Sequence, residues 1–243
     1  MNIWGKFLNV IYPPRCCICG RFLEDEEDCI PDFCFRCTSE FPAIKPPLCT
    51  LCGVPFASFT EESHLCERCL RKKPYFDALG APFLYEGGIM EAVHQLKYRS
   101  KTHLSMSLGR LLSFFALGWL GSAKDYLMMP VPLHRKKLRE RGFNQSLLLS
   151  KTIRHCLNVE LDFLSLRRRR YTPPQTGLSR EERRKNVRKA FEVSGSKRLE
   201  GRTIILVDDV ATTGSTLNEC ARVLKNAGCD KVLCLVLSRT SAH

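Results

Sequence analysis

The spacing of apolar residues predicts strands that alternate with helices from about residue 77 onward. Short apolar runs predict strands at Ala78–Tyr85, Tyr126–Val131, Ile204–Val207 and Val232–Leu237. Helically spaced apolar residues predict helices at Met90–Tyr98, Leu104–Leu120, Asn144–Leu157 and Ser215–Ala227. This alternation is typical of an α/β fold with a mostly parallel sheet.

Glycines and one long apolar run refine this prediction. Gly87 and Gly88 are expected to end the first strand, and Gly228 to cap the last helix in the left-handed conformation. The apolar run Leu111–Leu120 is about half the length that a membrane crossing needs, so we expect a buried helix there and no transmembrane segment.

Residues 1–73 differ in composition from the rest of the chain, because ten of the fourteen cysteines fall within the first 69 residues. Eight of them form four Cys-x-x-Cys pairs: Cys16 with Cys19, Cys34 with Cys37, Cys49 with Cys52, and Cys66 with Cys69. Fourteen residues separate the first two pairs and thirteen separate the last two. Two such pairs complete a tetrahedral Cys₄ site, so the repeat predicts two structural zinc ions.

Sequential pairing of these motifs gives one zinc per repeat, and a cross-braced pairing remains the alternative. Cys17 competes with Cys16 as a ligand, although the spacing favours Cys16, and Cys29 fits neither site. Met1–Tyr12 is too short and too interrupted for a secretory signal, and we expect a short amphipathic docking helix. Without an export signal we expect a cytoplasmic protein, whose reduced thiols bind metal.

The chain carries 38 Lys and Arg against 25 Asp and Glu, a net charge of +13 that favours an anionic partner. One basic cluster spans residues 134–141. The other spans residues 167–189 and holds ten Lys or Arg against two acids. A solvated surface explains residues 180–189 equally well. The four consecutive arginines, Arg167 to Arg170, repel one another and more strongly suggest a bound anion.

The block from Thr203 to Thr216 carries the most specific chemistry. A buried apolar strand runs into Asp208 and Asp209, then into a small hydroxyl-rich loop, and then into a helix. Loop and first-turn N–H groups form a phosphate-sized cradle at the positive end of the helix dipole. The two carboxylates must hold something beside the phosphate, either sugar hydroxyls or a hydrated Mg²⁺.

This block resembles the phosphoribosyl-pyrophosphate motif of type I phosphoribosyltransferases. The resemblance implies that Asp208 and Asp209 face the ribose 2′- and 3′-hydroxyls. It also implies that the 5′-phosphate lies against Ala211, Thr212, Thr213, Gly214, Ser215 and Thr216.

Further strings resemble the ComF family along nearly the whole chain. They are Tyr12-Pro13-Pro14-Arg15-Cys16, His94-Gln95-Leu96-Lys97-Tyr98, Pro130-Val131-Pro132-Leu133, Arg141-Gly142-Phe143-Asn144-Gln145-Ser146, Gln175-Thr176 with the stretch from Arg180 to Asn186, and Leu237-Ser238-Arg239-Thr240. The resemblance implies a small zinc module, residues 1–73, before a phosphoribosyltransferase-like domain, residues 77–243. For that domain the resemblance implies a mostly parallel sheet with helices on both faces, as in type I phosphoribosyltransferases. The resemblance also implies a link to DNA uptake in natural transformation.

Phosphoribosyl pyrophosphate needs a second anion site and a Mg²⁺ ion for its pyrophosphate. We expect the turn of Val131, Pro132 and Leu133 to be the pyrophosphate loop. Residues 167–189 are expected to act as a mobile lid. Candidate contacts to an anion, a nucleic acid or the closed lid are Arg135, Lys136, Arg139, Arg167, Arg168, Arg169, Arg170 and Arg180.

Three functions remain open on the sequence. In the first, the chain binds phosphoribosyl pyrophosphate and acts in DNA uptake, with single-stranded DNA and the uptake machinery at the inner face of the membrane as candidate partners. Alternatively, it transfers ribose 5-phosphate to a nitrogenous acceptor. As a third possibility, it is a zinc-module adaptor whose second domain supports a partner.

Overall fold

The computed structural model describes residues 13–23, 30–56, 62–121, 125–172 and 179–241. In these ranges the strands are β1 (Ala78–Gly80), β2 (Phe83–Leu84), β3 (Tyr126–Pro130), β4 (Glu160–Leu161), β5 (Leu166–Arg168), β6 (Phe191–Val193), β7 (Thr203–Ala211) and β8 (Lys231–Arg239). The helices are α1 (Phe35–Ser39), α2 (Glu67–Arg71), α3 (Gly87–Tyr98), α4 (Leu104–Leu120), α5 (Arg135–Arg141), α6 (Gln145–Leu157), α7 (Arg180–Val187) and α8 (Ser215–Asn226).

Six strands form one parallel sheet in the order β1-β8-β7-β3-β4, with β2 also pairing with β8. Because β3 and β7 are parallel neighbours, their carboxyl ends lie at the same edge of the sheet. Strands β5 and β6 form a separate antiparallel pair, Leu166 to Val193 and Arg168 to Phe191. The predicted mostly parallel α/β sheet is therefore confirmed.

Alternate residues of β7 enter two different cores, as expected for a strand buried on both faces. Ile204 and Leu206 pack with α8, whereas Ile205 and Val207 pack with α3, α4 and α6. Each such side chain contributes roughly 1.5–3 kcal/mol by leaving water. Helices therefore cover both faces of the sheet, as predicted.

The predicted strand Ala78–Tyr85 is wrong in its continuity, because it divides into β1 and β2. Pro82 lies at the break and has no N–H to donate to a ladder. Its carbonyl accepts a hydrogen bond from Ile44 N at 2.8 Å, and Leu84 N donates to Pro42 O at 2.8 Å. The cysteine-rich segment therefore covers this edge of the sheet. Gly87 lies at the start of α3.

The four predicted helices match the structure to within three residues at each end, whereas β7 and β8 extend beyond their predicted bounds. Helix α4 has the predicted bounds, although only one face is buried, since Phe114 is 84% exposed. Asn144 caps α6 by accepting from Ser146 N at 3.0 Å, and Gly228 follows α8 with φ of 93°. Strand β7 continues through Asp208 and Asp209 to Ala211. No described helix is long and apolar enough to cross a membrane.

The second half of the cysteine-rich module shares a core with the sheet. Cys49, Cys52 and Cys69 pack in the cluster that also contains β7 and α8 residues. Leu79 N of β1 donates to Leu51 O at 2.9 Å. The predicted domain boundary lies between α2 and β1, yet apolar packing is continuous across it. The docking helix proposed for residues 1–12, and Cys29, lie outside the described residues.

Candidate functional site

The cysteines form two separate four-thiol clusters. Within each cluster, the Sγ atoms all lie within 4.8 Å of one another. One cluster contains Cys16, Cys19, Cys34 and Cys37; the other contains Cys49, Cys52, Cys66 and Cys69. Sequential pairing is therefore confirmed and the cross-braced alternative is wrong. Cys17 belongs to neither cluster, and burial raises the pKa of its thiol to about 12.

The spacing of the sulfur atoms fits zinc. Four ligands about 2.3 Å from a central ion stand about 3.8 Å apart in a tetrahedron. The Sγ–Sγ distance is 3.7 Å between Cys19 and Cys34, and 3.8 Å between Cys52 and Cys66. Burial raises the pKa of Cys49, but N–H donors from Cys52, Cys66 and Leu51 outweigh it and bring the pKa down to about 6. Closed Cys₄ sites of this kind are structural zinc centres.

A cleft of about 520 Å³ opens where β3 and β7 end. Ligands bind at this edge in open parallel sheets, because loops and helix N-termini converge there. Its lining includes the acid pair Asp208 and Asp209, the loop after β7, the turn after β3 and several cations. The structure therefore brings the separate sequence motifs together in one cleft.

The two acids have different partners. Lys97 Nζ of α3 lies 2.8 Å from Asp209 Oδ2, and both side chains are largely buried. Ser146 Oγ at the start of α6 donates to Asp208 Oδ1 at 2.8 Å, and Asp209 N donates to the same oxygen at 3.0 Å. Lys97 and Ser146 thus position the carboxylates from two neighbouring helices.

These surroundings move the pKa of Asp208 away from that of an ordinary aspartate. Burial, followed by the charge of Asp209, raises the pKa of Asp208 to about 7. Burial lowers the pKa of Lys97, but the adjacent Asp209 outweighs it and the net shift is upward. Near neutral pH the group therefore holds the Lys97–Asp209 ion pair and a second acid that an added cation would ionise.

The loop after β7 has the shape of an anion cradle. Gly214 has φ of 73°, in the left-handed region where glycine carries no Cβ penalty, and it leads directly into α8. Ser215 N donates to Thr213 Oγ1 at 3.3 Å, which fixes the turn. The residues of this loop that line the cleft are Ala211, Thr212, Gly214, Ser215 and Thr216.

Thr213 lies apart from the cleft and connects the loop to the zinc module. Its carbonyl oxygen accepts a hydrogen bond from Arg68 Nη1 at 3.1 Å. Arg68 belongs to α2, between the zinc ligands Cys66 and Cys69. The second cysteine cluster is therefore connected to the loop after β7 through one side chain, a contact that the sequence did not predict.

The predicted pyrophosphate turn contributes two of its three residues to the same cleft. Val131 and Leu133 line the cleft, whereas Pro132 is not among the lining residues. Val131 N donates to Val207 O at 2.8 Å and Val131 O accepts from Asn144 Nδ2 at 3.1 Å. These bonds fix the turn before α5.

Helical phase determines which basic residues of α5 reach the cleft. Lys137 and Arg141 are four residues apart, share one face and line it. Burial, together with the charges of Arg168 and Arg141, lowers the pKa of Lys137. Three candidates lie outside the lining and are exposed: Arg135, Lys136 and Arg139. Lys136 Nζ instead lies 4.8 Å from the centre of the Tyr171 ring.

The four consecutive arginines separate in the same way. Arg168 lines the cleft, and its buried Nε has no hydrogen-bond partner among the described residues. Arg167 Nε donates to Leu164 O at 3.0 Å. Arg169 pairs with Glu192 at 3.2 Å. Arg170 donates to two carbonyls, of Asn186 and Arg188, each at 2.7 Å.

Part of the predicted lid lies outside the described residues, namely residues 173–178 and the side chain of Arg180. The described part adds Arg183 of α7 to the cleft lining. Besides Lys97, the described cations that line the cleft are Lys137, Arg141, Arg168 and Arg183, and of these four only Arg168 is among the candidates chosen from the sequence. Lys97 and Ser146 stood inside strings that resemble the ComF family, but a string without a fold assigns no role.

Comparison with known proteins agrees with this architecture. Residues 7–70 match the double zinc ribbon domain and residues 144–242 match the phosphoribosyl transferase domain. The chain is 33% identical to the DNA utilization protein YhgH of Salmonella typhimurium, over 94% of this chain and 98% of that protein. It is 29% identical to Competence protein F of Haemophilus influenzae, over 85% and 96%.

A solved purine phosphoribosyltransferase from Pyrococcus horikoshii is similar over 56% of this chain and 75% of its own, with 17% identity and a TM-score of 0.34. The zinc clusters, the parallel sheet and the full-length relatives lead to one assignment. The chain belongs to the ComF/YhgH family of competence and DNA utilization proteins, in which a double zinc ribbon precedes a phosphoribosyltransferase domain.

Proposed function

We propose that this protein binds phosphoribosyl pyrophosphate with Mg²⁺ and acts in DNA uptake or utilization. One observation carries the proposal. A phosphate-sized loop, two carboxylates and a cluster of cations face a single cleft of about 520 Å³. These three features match the phosphate, the sugar hydroxyls and the pyrophosphate of the ligand in chemical kind.

Each part of the ligand has a chemical counterpart in the cleft. The 5′-phosphate accepts hydrogen bonds from the loop 211–216 and the first turn of α8. The ribose hydroxyls donate to Asp208 and Asp209. The pyrophosphate lies against Val131 and Leu133 of the turn after β3 and against the cations that line the cleft, Arg168 among them.

The acid pair also fits a divalent cation. Carboxylate oxygens are the ligands that Mg²⁺ prefers, and a pKa of about 7 leaves Asp208 ready to ionise when a cation approaches. Bound Mg²⁺ would neutralise charge that develops on a departing pyrophosphate. Lys97 pairs with Asp209 and orients it, and Ser146 orients Asp208.

The equilibrium test uses titration calorimetry of the zinc-loaded protein with phosphoribosyl pyrophosphate and Mg²⁺. Asp209→Asn removes a charged acceptor for a sugar hydroxyl, worth roughly 1.5–3 kcal/mol, so affinity should fall about ten- to a hundredfold. The exposed residue Asp230 provides the matched control, Asp230→Asn, which should not change affinity. Equal affinity of the wild type and Asp209→Asn would favour the adaptor function.

Transfer of ribose 5-phosphate to a nitrogenous acceptor is the second candidate. It is favoured by the cations at the leaving-group end of the cleft, since they would stabilise departing pyrophosphate. Release of pyrophosphate in the presence of a panel of nucleobases and related acceptors tests it. No acceptor-dependent release, with ligand binding intact, would leave a binding role alone.

Single-stranded DNA and the uptake machinery at the inner face of the membrane are the proposed partners, which places the protein in the cytoplasm. Support comes from the net charge of +13 and from the names of the relatives. If four to six phosphates are neutralised, log affinity should fall against log salt with a slope of roughly −3 to −4. An unchanged affinity between low and high salt would contradict this proposal.

A further inference from the structure

A second groove lies between the zinc module and the loop of residues 211–216, which the proposed function makes the phosphate loop. The proposed function does not use the side chains of this groove. We call it the ribbon groove; it encloses about 430 Å³ between α2, the segment 72–76, α7 and the loop 213–215. Gly214 and Ser215 line both this groove and the cleft at the ends of β3 and β7, which we call the ribosyl cleft. The phosphate loop is therefore a wall shared by two separate cavities.

The ribbon groove is strongly cationic. Its lining includes four cations, Arg68, Lys72, Lys73 and Arg184, and one acid, Glu181. Glu181 Oε1 lies 3.1 Å from Lys185 Nζ, so its charge is already neutralised within α7. Among the described residues, no ion pair involves Lys72, Lys73 or Arg184. An anion is the complement of this rim.

An aromatic platform lies beside the cations. Tyr75 is 50% exposed, and its backbone N–H donates to Asn218 Oδ1 at 2.7 Å, which fixes its position against α8. Its neighbour Phe76 is buried and lies near the shared wall, since a Cβ added at Gly214 would lie 3.9 Å from its ring. An exposed aromatic face next to unpaired cations suits a ligand that combines a planar ring with phosphate.

We propose that the ribbon groove binds one nucleotide unit, with its phosphate on Lys72, Lys73 and Arg184 and its base stacked on Tyr75. The side-chain oxygen of Asn218 already accepts a hydrogen bond from Tyr75 N, so its amide nitrogen is the donor for the sugar or base. The cavity volume falls within the usual range for a small-molecule site of roughly 300–1,000 Å³. The same chemistry suits a free nucleotide or one nucleotide of a single strand.

Two probes distinguish these sources, 5′-AMP and a twelve-residue oligodeoxyadenylate, each titrated into the full-length zinc-loaded protein by calorimetry. The test variant Lys72→Ala/Lys73→Ala should weaken both probes at least tenfold. The control Lys151→Ala/Lys231→Ala removes the same charge from exposed sites outside both cavities and should change affinity much less. Tighter binding of AMP per nucleotide identifies a free nucleotide as the ligand, and tighter binding of the oligomer identifies a strand.

The aromatic contact has its own variants. Tyr75→Ala should weaken both probes roughly 5- to 100-fold, because a stacked base contributes about 1–3 kcal/mol, and Tyr75→Phe should retain affinity. The variant Asp208→Asn separates the two cavities, since it should weaken phosphoribosyl pyrophosphate and leave AMP unaffected. Failure of phosphoribosyl pyrophosphate to bind would refute the proposed function and leave this inference standing.

Four results would overturn the inference. Neither probe binds, or the two double variants lose affinity equally, which would mean only a general charge effect. Alternatively, AMP is displaced by phosphoribosyl pyrophosphate and weakened by Asp208→Asn, which would place the nucleotide in the ribosyl cleft. Full affinity in Tyr75→Ala would equally contradict the stacked base.

Discussion

Replacing Lys97, which pairs with Asp209 in the cleft, by methionine should strongly destabilise the protein. Lys97 Nζ lies 2.8 Å from Asp209 Oδ2, and their side chains are only 16% and 4% exposed. At an effective dielectric of about 20, charges at that distance attract by roughly 6 kcal/mol. The cost of removing the lysine from water offsets part of this attraction. Breaking a buried pair by removing one partner costs about 3–5 kcal/mol, because the remaining charge is buried alone.

The assay is equilibrium unfolding in guanidinium chloride at pH 7 with zinc present, followed by far-ultraviolet circular dichroism. Asp208 lies beside Asp209 and already resists ionisation, so loss of the lysine leaves two acids without a cation. The free energy of unfolding should fall by about 3–5 kcal/mol in Lys97→Met. Lys97→Met/Asp209→Asn removes both charges and should recover most of that loss.

An exposed lysine supplies the control, since Lys151→Met should stay within about 0.5 kcal/mol of the wild type. The reasoning is refuted if Lys97→Met is as stable as the wild type. It is equally refuted if the double variant is as unstable as the single one, because that result would mean that packing of the lysine stem, and not an unpaired carboxylate, dominates.

Three further predictions follow from the site. Metal analysis should find two zinc ions per chain; Cys34→Ser should lose one and spare the sheet, whereas Cys66→Ser should also disturb the phosphate loop, and zero zinc would contradict both. The pKa of Asp208 is raised to about 7, so its contribution to the free energy of unfolding is complete below its unfolded pKa near 4 and is lost as pH rises toward 7. Asp208→Asn should therefore flatten the plot of unfolding free energy against pH in this range. An unchanged plot would argue against the raised pKa. Arg68→Ala should weaken phosphoribosyl pyrophosphate roughly tenfold through the freed loop, and the control Arg71→Ala, from the exposed ion pair on the same helix, should not.

Much of the fold follows from local patterns. Helix α4 has the predicted bounds because its apolar spacing persists over seventeen residues. The paired cysteines predict both zinc clusters because ligand spacing is a property of the local chain. Pro82 divides the first strand for an equally local reason, yet its effect depended on the neighbouring cysteine-rich segment, which supplies replacement hydrogen bonds.

The site was only partly predictable, because its geometry depends on contacts between distant residues. Lys97 meets Asp209 from a helix 112 positions earlier, and a lysine in an amphipathic helix carries no mark of that partner. On α5, charge density selected Arg135 and Lys136, whereas the helical phase places Lys137 and Arg141 toward the cleft. Arg68 contacts the phosphate loop only because the zinc module packs against the sheet.

The most direct test of the central claim is calorimetry that compares phosphoribosyl pyrophosphate with its two halves, ribose 5-phosphate and pyrophosphate, each with Mg²⁺. If the loop 211–216, the acid pair and the cations near Arg168 form one site, the intact ligand should bind at least a hundredfold more tightly than either half. Affinity for phosphoribosyl pyrophosphate no greater than for ribose 5-phosphate, or no measurable binding at all, would contradict the account.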